Sequence, residues 1–317
     1  VYSVPAYRVP IASRAAKGTP VVQLLPIPRE EQITSLLAVS AFEENVQLLM
    51  LTSGGFIKRT PLSAFANIRA NGLIAIGLEE ADALRWVRLA LKGDSVLIGS
   101  LKGMTIHFRI TDGELRPLGR TARGVRAMAL RQGDSLVSMD VLPAELADRV
   151  ANSAAADEDG EGEAEETAAS EGPWVLVATA SGLGKRVPVD QFRLQRRAGL
   201  GLRGIKFRRD GDTLVGLKVM GADEELLLVS ERGVIVRLQS DAIPQQSRAA
   251  TGVRLQKLDS GDRLTEVVLV PPSAEEEEVV DVEAVETAVV DVTETAVIAK
   301  ADPEADPEAV PEADPQA

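Results

Sequence analysis

Apolar and polar residues alternate in short runs along most of the chain, and glycine-containing turns separate these runs by about 10 to 12 residues. Alternation with period two buries one face of a strand and leaves the other in solvent. Strands at this spacing, with turn signals between them, are typical of all-β proteins. No convincing amphipathic helical period interrupts the pattern before residue 274. The sequence therefore predicts an all-β body.

The alternating runs belong to a repeat of about 50 residues. Its first marker is an arginine three or four residues before a glycine, and it occurs at 13–18 (SRAAKG), 67–72 (NIRANG), 119–124 (GRTARG), 195–201 (QRRAGLG) and 247–252 (SRAATG). We call these segments the corners. An alternating stretch follows each, such as 19–27 (TPVVQLLPI), and Gly-Asp pairs precede later apolar runs. Four strands in each unit predict a propeller-like array of blades.

The closing glycines of the corners lie 54, 52, 77 and 51 residues apart. The long interval contains an acidic, small-residue insert at 146–173, which we expect to be disordered because it cannot bury enough apolar surface. The same argument applies to 274–317, a Pro-rich acidic tail. The sequence therefore predicts a blade domain over 1–273, interrupted by this insert, and a disordered tail over 274–317.

Charge divides the chain in the same way. The whole chain carries a net charge of −13, but the tail has fifteen acidic residues and one lysine, and 157–171 has eight acidic residues and no basic one. Without these two segments the remaining residues carry +9. A basic body attracts polyanions, and an acidic tail can compete for the same surface.

Several classes of chemistry have few candidate residues. The chain has no cysteine and one histidine, His107, which disfavours disulfides, thiolate zinc sites and histidine-dependent triads. No run approaches 18 apolar residues, so we expect no membrane partner. The first residue is Val1 rather than methionine, and this suggests a piece of a longer protein. We assign no catalytic and no metal-binding residue.

Two glycine motifs invite a nucleotide-binding interpretation. Gly199, Gly201 and Gly204 match G-x-G-x-x-G, but the following residues alternate as a strand rather than forming the helix that this fingerprint requires. The stretch 181–186 (SGLGKR) lacks the first glycine and the final Ser/Thr of a P-loop. We therefore interpret these glycines as turn residues that need a positive φ.

The basic residues of the corners favour binding of a polyanion. Equivalent corners of a blade array lie along one edge, where regularly spaced cations suit a bent phosphate backbone with little readout of bases. No aromatic residues are interleaved with them, which argues against single-strand stacking. The candidate DNA-binding residues are Arg14, Lys17, Arg69, Arg120, Arg123, Arg126, Arg196, Arg197, Arg203, Lys206, Arg248 and Arg254.

Three segments carry a resemblance to a known family. The stretches 1–27 (VYSVPAYRVPIASRAAKGTPVVQLLPI), 51–65 (LTSGGFIKRTPLSAF) and 119–130 (GRTARGVRAMAL) resemble the C-terminal domain of the A subunit of bacterial DNA gyrase. The resemblance implies a six-bladed β-pinwheel whose blades exchange strands and wrap duplex DNA. The segment 195–201 is similar to the family's QRRGGKG box, but Ala198 and Leu200 depart from it, and we interpret it as the corner of the fifth blade.

The resemblance also implies an assembly. The whole protein would be an A2B2 enzyme of two A and two B subunits, in which wrapping supports ATP-dependent negative supercoiling. This chain would begin midway through the first blade and hold no cofactor, because ATP and Mg²⁺ would be used by other parts of the enzyme. We expect double-stranded DNA as its direct partner and a cytoplasmic, nucleoid-associated location.

Three alternatives remain. The equivalent domain of topoisomerase IV would have fewer and less regular blades. A protein-interaction propeller would bind a protein tightly and DNA weakly. A propeller hydrolase would need carboxylates or histidines that converge near the axis, whereas the acidic residues of the body lie mostly in Gly-Asp turns.

Overall fold

The computed structural model describes residues 1–13, 15–28, 31–157 and 172–270. Within these ranges the chain is dominated by strands. They are β1 (Val46–Thr52), β2 (Phe56–Pro61), β3 (Leu84–Leu91), β4 (Ser95–Ser100), β5 (Met104–Arg109), β6 (Val125–Arg126), β7 (Leu136–Leu142), β8 (Trp174–Thr179), β9 (Leu183–Pro188), β10 (Leu202–Arg203), β11 (Leu214–Met220), β12 (Glu225–Ser230), β13 (Ile235–Gln239), β14 (Val253–Arg254) and β15 (Leu264–Val270). The helices are α1 (Val21–Leu24), α2 (Ala144–Asp157) and 3-10 turns at Ala6–Arg8, Leu62–Phe65, Val189–Gln191 and Ser240–Ala242.

The strands form antiparallel sheets that follow one another along the chain. Their orders are β3-β1-β2-β6 (first sheet), β10-β5-β4-β7 (second), β11-β8-β9-β14 (third) and β13-β12-β15 (fourth). The all-β prediction with four-stranded blades is confirmed. The predicted total of six blades stays a prediction, because the described residues build four sheets.

Neighbouring sheets exchange strands. After β5 the chain returns to the first sheet, where β6 pairs with β2, and it then enters the second sheet as β7 beside β4. The short strands β10 and β14 make the same excursion to β5 and β9. We call β6, β10 and β14 the outer strands. On the opposite side, β3, β7, β11 and β15 contact one another from sheet to sheet, and we call them the inner strands.

The core lies between successive sheets. The central strand β4 is buried at every position. Ile98 packs in a cluster with residues of the first sheet, whereas its neighbour Leu97 packs with residues of the third sheet. Because both faces of such a strand are covered, β4 reads as a continuous apolar run rather than as an alternation.

The Gly-Asp pairs of the repeat fasten one hairpin turn to the next strand. Asp212 accepts hydrogen bonds from the Ser181 amide at 3.0 Å, the Ser181 hydroxyl at 2.5 Å and the Thr213 amide at 2.9 Å. Asp82, Asp134 and Asp262 accept equivalent bonds from the turns that precede them. These acidic residues are therefore structural.

Replacement of Asp212 by alanine should lower the free energy of unfolding by about 1–3 kcal/mol, because three donors lose their acceptor. Asp210 is exposed in the same turn and provides the control, since Asp210→Ala removes the same charge without removing this contact. Urea denaturation of both variants measures the difference. Equal losses for the two variants would contradict the structural role of Asp212.

The prediction of disorder is wrong for the amino-terminal part of the insert, residues 146–157. Residues 144–157 form α2, in which Ala147 and Val150 are buried. The Arg149 guanidinium holds the helix to Asp190, with Nη2 2.6 Å from Oδ2. The apolar stripe is only two or three residues wide, and the alanine-rich acidic surroundings hid it in the sequence. The rest of the insert up to residue 171, and the tail, lie outside the described residues.

The first repeat also differs from prediction. The stretch 19–27 was expected to alternate as a strand, yet it contains the single turn α1, and the described residues before Val46 hold no strand. Five prolines occur in residues 1–28, and proline cannot donate to a sheet ladder. This repeat still forms a backbone contact with the segment after the next corner, as the later repeats do. The amide of Leu73, which follows the corner at 67–72, donates to the Val1 carbonyl at 2.9 Å.

Candidate nucleic-acid interface

Each outer strand consists of one half-buried apolar residue followed by an exposed arginine. Arg126 pairs with Phe56, Arg203 with Met104 and Arg254 with Leu183. These partners occupy the same place in the three hairpins, immediately after the turn glycine. The sheet register therefore brings one exposed cation to an equivalent position on each of three consecutive sheets.

Glycine is required where each corner meets the preceding sheet. Gly124, Gly201 and Gly252 have φ values of +109°, +76° and +83°. A Cβ added at these positions would lie 2.4–2.7 Å from the carbonyl oxygens of Ile57, Thr105 and Gly184, respectively. Gly201 leads directly into the strand β10, not into a helix. The strand predicted after this glycine, in place of the helix that the fingerprint requires, is confirmed.

Two buried lysines hold corners from beneath. Lys58 on β2 is 0% exposed, and its Nζ lies 2.5–3.0 Å from the carbonyl oxygens of Ala75, Gly119, Arg120 and Ala122. Lys185 on β9 does the same at the corner two sheets later, with the carbonyls of Ser247, Arg248 and Ala250 at 2.5–2.9 Å. These contacts gather the backbone of each corner around one ammonium group.

Burial lowers the pKa of Lys58 to about 8 and that of Lys185 to about 7. The neighbouring charge of Arg248 acts on Lys185 in the same direction. Neither lysine was singled out from the sequence as a residue that holds a corner. The available signal was G-x-x-K, which occurs as GFIK (residues 55–58) and GLGK (residues 182–185), each beginning at the last glycine of a hairpin turn. In the second case the residue belongs to the stretch first compared with a P-loop.

The Lys185 pKa sets a pH dependence of stability. Below pH 7 the folded and unfolded chains both carry the proton, but between about pH 7 and 10.5 the unfolded chain binds more protons. The free energy of unfolding should therefore rise with pH in this window. We expect the free energy of unfolding of the unmodified chain, relative to that of Lys185→Met, to increase from pH 7 to 9.5. Urea denaturation at each pH measures this difference. No gain relative to Lys185→Met over this window would contradict the prediction and would mean that the carbonyls keep the folded ammonium charged.

Three of the predicted DNA-binding arginines, of which Arg120 is exposed, donate a guanidinium hydrogen bond to the backbone. The Nη1 atoms of Arg120, Arg197 and Arg248 donate to carbonyl oxygens of neighbouring segments, at 3.2, 3.3 and 2.6 Å. Arg197 also donates from Nε to the Glu114 carbonyl at 2.6 Å. Arg197 and Arg248 are half-buried. We call these three the corner arginines.

Arg123 is also engaged within the protein. Its guanidinium lies 3.5 Å from the centroid of the Phe56 ring and forms an ion pair with Glu79. A cation stacked on an aromatic face and paired with a carboxylate has little charge left for a phosphate. Arg126 lies over the same ring at a longer distance, 5.6 Å, and its side chain is exposed.

The remaining predicted residues are surface cations. Lys17, Arg69, Arg196 and Lys206 are exposed, and Arg14 lies outside the described residues. Lys17 and Arg69 belong to the corners of the first repeats, whereas Arg196 and Lys206 flank the outer strand β10. Arg208 and Arg209, which were not selected from the sequence, are exposed beyond Lys206.

The inner side has a different electrostatic character. A cleft of about 580 Å³ along the inner strands is lined by Arg88, Asp140, Lys218 and Glu266, which mix both signs of charge. Burial raises the pKa of Asp140, and its Oδ2 accepts a hydrogen bond from the Val219 amide at 2.9 Å, joining β7 to β11. Among the described residues, no group of three or more histidine or acidic side chains could hold a metal ion.

His107 occupies a structural position. It is 1% exposed, with Nδ1 2.6 Å from the Phe192 carbonyl and Nε2 2.7 Å from the Ser95 hydroxyl. Because Nδ1 faces a carbonyl, it carries the proton, and Nε2 accepts from serine. Burial lowers the pKa of this histidine. The ring thus joins β5 to β4 and to the segment that leads into the corner at 195–201.

The repeat pattern matches a family described as DNA gyrase C-terminal domain, beta-propeller. The family model matches residues 1–40, 47–90, 94–143, 173–219 and 224–271, which together exceed half of the chain. The chain belongs to this family. The last four segments matched by the family model begin at or near the first hairpin of each sheet. The first matched segment, 1–40, corresponds to the repeat without strands. The resemblance recognised in the sequence is confirmed.

Relatives in this gyrase family are long proteins. The DNA gyrase A subunit of Synechocystis sp. is 55% identical over 282 residues, which cover 87% of this chain and 33% of that protein. The chloroplastic/mitochondrial DNA gyrase A subunit of Arabidopsis thaliana is 40% identical over 285 residues, which cover 87% of this chain and 29% of that protein. The chain thus spans about a third of the length of these gyrase subunits.

Solved structures share the gyrase-type fold. A gyrase A C-terminal domain aligns with a TM-score of 0.64 over 81% of this chain and 76% of its own length. A topoisomerase IV C-terminal domain aligns with a TM-score of 0.66 over 80% of this chain and 71% of its own length. Both are 22% identical, so they show the fold alone. The sequence identity to gyrase subunits favours gyrase over topoisomerase IV. In the part of the chain that the structure describes, no helix is long and apolar enough to span a membrane.

Proposed function

We propose that this chain binds and wraps duplex DNA along its outer strands. The observation that carries the proposal is the exposed arginine at one register position on three consecutive sheets, Arg126, Arg203 and Arg254. Cations that recur from sheet to sheet can follow successive phosphates as the duplex bends from one sheet to the next. Phosphate contacts of this kind fix the position of a duplex and carry no sequence information directly.

The surrounding charge supports the same function. Arg196, Lys206, Arg208 and Arg209 are exposed near Arg203 and add to the positive field around the second outer strand. The body of the chain carries +9 once the two acidic segments are set aside. Neutralisation of phosphates by such a surface releases counterions, which makes binding strong at low salt and insensitive to sequence.

Membership of the family supports a proposal about the whole protein. We propose that wrapping by this domain supports ATP-dependent negative supercoiling by an assembly of two A and two B gyrase subunits. ATP and Mg²⁺ would bind to other parts of that assembly, which would act on DNA in the cytoplasm, at the nucleoid.

A nicked-circle ligation experiment distinguishes wrapping from binding. Nicked plasmid is incubated with increasing amounts of the chain, sealed with ligase, deproteinised and resolved by gel electrophoresis. Wrapping should shift the distribution of topoisomers in proportion to the bound protein. Binding with an unshifted distribution would contradict wrapping, and a folded chain that binds no DNA at low salt would favour a protein-interaction propeller.

A further inference from the structure

Two of the three corner arginines, Arg197 and Arg248, form a relay of hydrogen bonds between outer strands. Arg197 Nη1 donates to the carbonyl oxygen of Arg126 at 3.3 Å, and Arg248 Nη1 donates to the carbonyl oxygen of Arg203 at 2.6 Å. In each case the acceptor belongs to the exposed arginine of the preceding outer strand. The donor lies six residues before the exposed arginine of its own outer strand, Arg203 or Arg254.

This arrangement joins three outer strands by alternating covalent and hydrogen-bonded links. From Arg126 the link passes through the Arg197 guanidinium and six residues of chain to Arg203. It then passes through the Arg248 guanidinium and six further residues to Arg254. The distance between neighbouring exposed arginines is therefore restrained by the guanidinium groups of Arg197 and Arg248.

Both donors are fixed by further contacts. The Arg197 amide donates to Glu114 Oε2 at 3.2 Å and its Nε to the Glu114 carbonyl at 2.6 Å, while the Arg248 amide donates to Gln191 Oε1 at 2.7 Å. A guanidinium presents five donors in a rigid plane, so it can join two carbonyls at once, whereas an ammonium is a single point donor.

The corner at 119–124 shows where the relay stops. The residue that corresponds to an exposed arginine in the preceding repeat is Ile74, two residues after the corner glycine. Arg120 does not donate to Ile74 but to the Ala64 carbonyl, at 3.2 Å. The guanidinium-to-carbonyl link is thus present between the outer strands that carry an arginine.

We infer that Arg197 and Arg248 are positioning residues, which hold the phosphate-binding arginines of adjacent outer strands at a fixed separation and do not themselves bind phosphate. The inference rests on the proposed function for its effect on DNA. It replaces the direct phosphate contact that the sequence predicted for these two residues.

The adjacent pair Arg196 and Arg197 allows a matched test. Both lie in the corner at 195–201 and each carries one positive charge. Arg196 is exposed, whereas Arg197 is half-buried and donates to the Glu114 and Arg126 carbonyls. The variants are Arg197→Lys and Arg196→Lys, which keep the charge, and Arg197→Gln and Arg196→Gln, which remove it. Arg248→Lys provides an independent second site.

Two kinds of measurement are made on each variant, one without DNA and one with it. Hydrogen exchange follows the Ala127 and Gly204 amides, which come directly after Arg126 and Arg203 and donate to the Gly55 and Gly103 carbonyls at 2.8 Å. Energy transfer between dyes at the two ends of a bound duplex reports wrapping at saturating protein. On the same duplex, the salt dependence of affinity gives the number of phosphate contacts.

We expect Arg197→Lys to speed exchange of Ala127, and Arg248→Lys that of Gly204, by about tenfold through loss of the charged hydrogen bond. Both should lower the energy transfer at saturation while leaving the salt slope unchanged. Arg196→Lys should leave the exchange of both amides unchanged, because the Arg126 and Arg203 carbonyls accept from Arg197 and Arg248. Arg196→Gln should reduce the salt slope by about one, and Arg197→Gln should leave it unchanged.

The opposite pattern would overturn the inference. If Arg197→Lys matches the unmodified chain in exchange and energy transfer while Arg197→Gln reduces the salt slope by about one, Arg197 is a phosphate ligand. Failure of both Arg197→Lys and Arg248→Lys to fold, seen by circular dichroism, would also overturn it by making the arginines essential to the fold. Because the exchange measurement needs no DNA, absence of DNA binding would contradict the proposed function alone.

Discussion

Gly201→Ala is expected to destabilise the domain by more than about 3 kcal/mol. Two costs add at this position. The residue has φ of +76°, a conformation that costs a residue with a Cβ about 1–2 kcal/mol. The new Cβ would also lie 2.4 Å from the Thr105 carbonyl oxygen, so the corner would have to move away from β5.

Gly211 separates these two costs. It has φ of +82°, but nothing lies within 4 Å of an added Cβ. Gly211→Ala should therefore lose only the conformational part, about 1–2 kcal/mol. Urea denaturation of both variants gives the comparison. Equal losses would show that the close approach of corner and strand contributes nothing, and would contradict the explanation of why the corners end in glycine.

Reversal of the three exposed arginines of the outer strands is expected to weaken DNA binding by roughly a hundredfold or more at moderate salt. The variant carries Arg126→Glu, Arg203→Glu and Arg254→Glu. Three phosphate contacts are replaced by repulsions, so the log–log slope of affinity against salt should also fall by about three. The loss should be the same for duplexes of different sequence, since phosphates are the ligands.

The control carries the same change of charge on the inner side. Arg85 on β3, Lys92 immediately after β3 and Arg263 immediately before β15 are all changed to glutamate. Fluorescence anisotropy with a labelled duplex measures both variants. If the control weakens binding as much as the outer-strand variant, net charge rather than the outer strands determines affinity.

The repeat made much of the fold predictable from sequence. The markers at 119–124, 195–201 and 247–252 recur because each corner must turn with a positive φ against the preceding sheet. The Gly-Asp pairs recur because each carboxylate fastens a hairpin turn, as Asp212 does. Such local requirements leave a signal in a single sequence since they demand one residue type at one place.

The features that the sequence did not predict depend on partners far away in the chain. Lys58 and Arg123 are both basic, but one is buried against carbonyls and the other is stacked on Phe56. The apolar stripe of α2 is buried because the helix packs against the 3-10 turn at Val189–Gln191, which is about 40 residues away in the chain. A count of basic residues therefore overestimated the number of free cations at the corners.

Only the structure shows which basic residues are exposed and which donate to the backbone. Arg126, Arg203 and Arg254 are exposed, whereas Arg197 and Arg248 donate to backbone carbonyls. Both sets have the same sequence signature, an arginine near a corner glycine. The two-residue outer strand determines which arginine is exposed, and its pairing partner lies in the preceding sheet.

The most direct test of the central claim is the affinity of the chain for a duplex of about 40 base pairs across a series of salt concentrations, measured by fluorescence anisotropy with two unrelated sequences. Wrapping along the outer strands predicts a log–log slope steeper than about −4.5, corresponding to roughly five or more neutralised phosphates, and equal affinity for the two sequences. A shallow slope, a strong preference for one sequence, or no binding at low salt by the folded chain would contradict it.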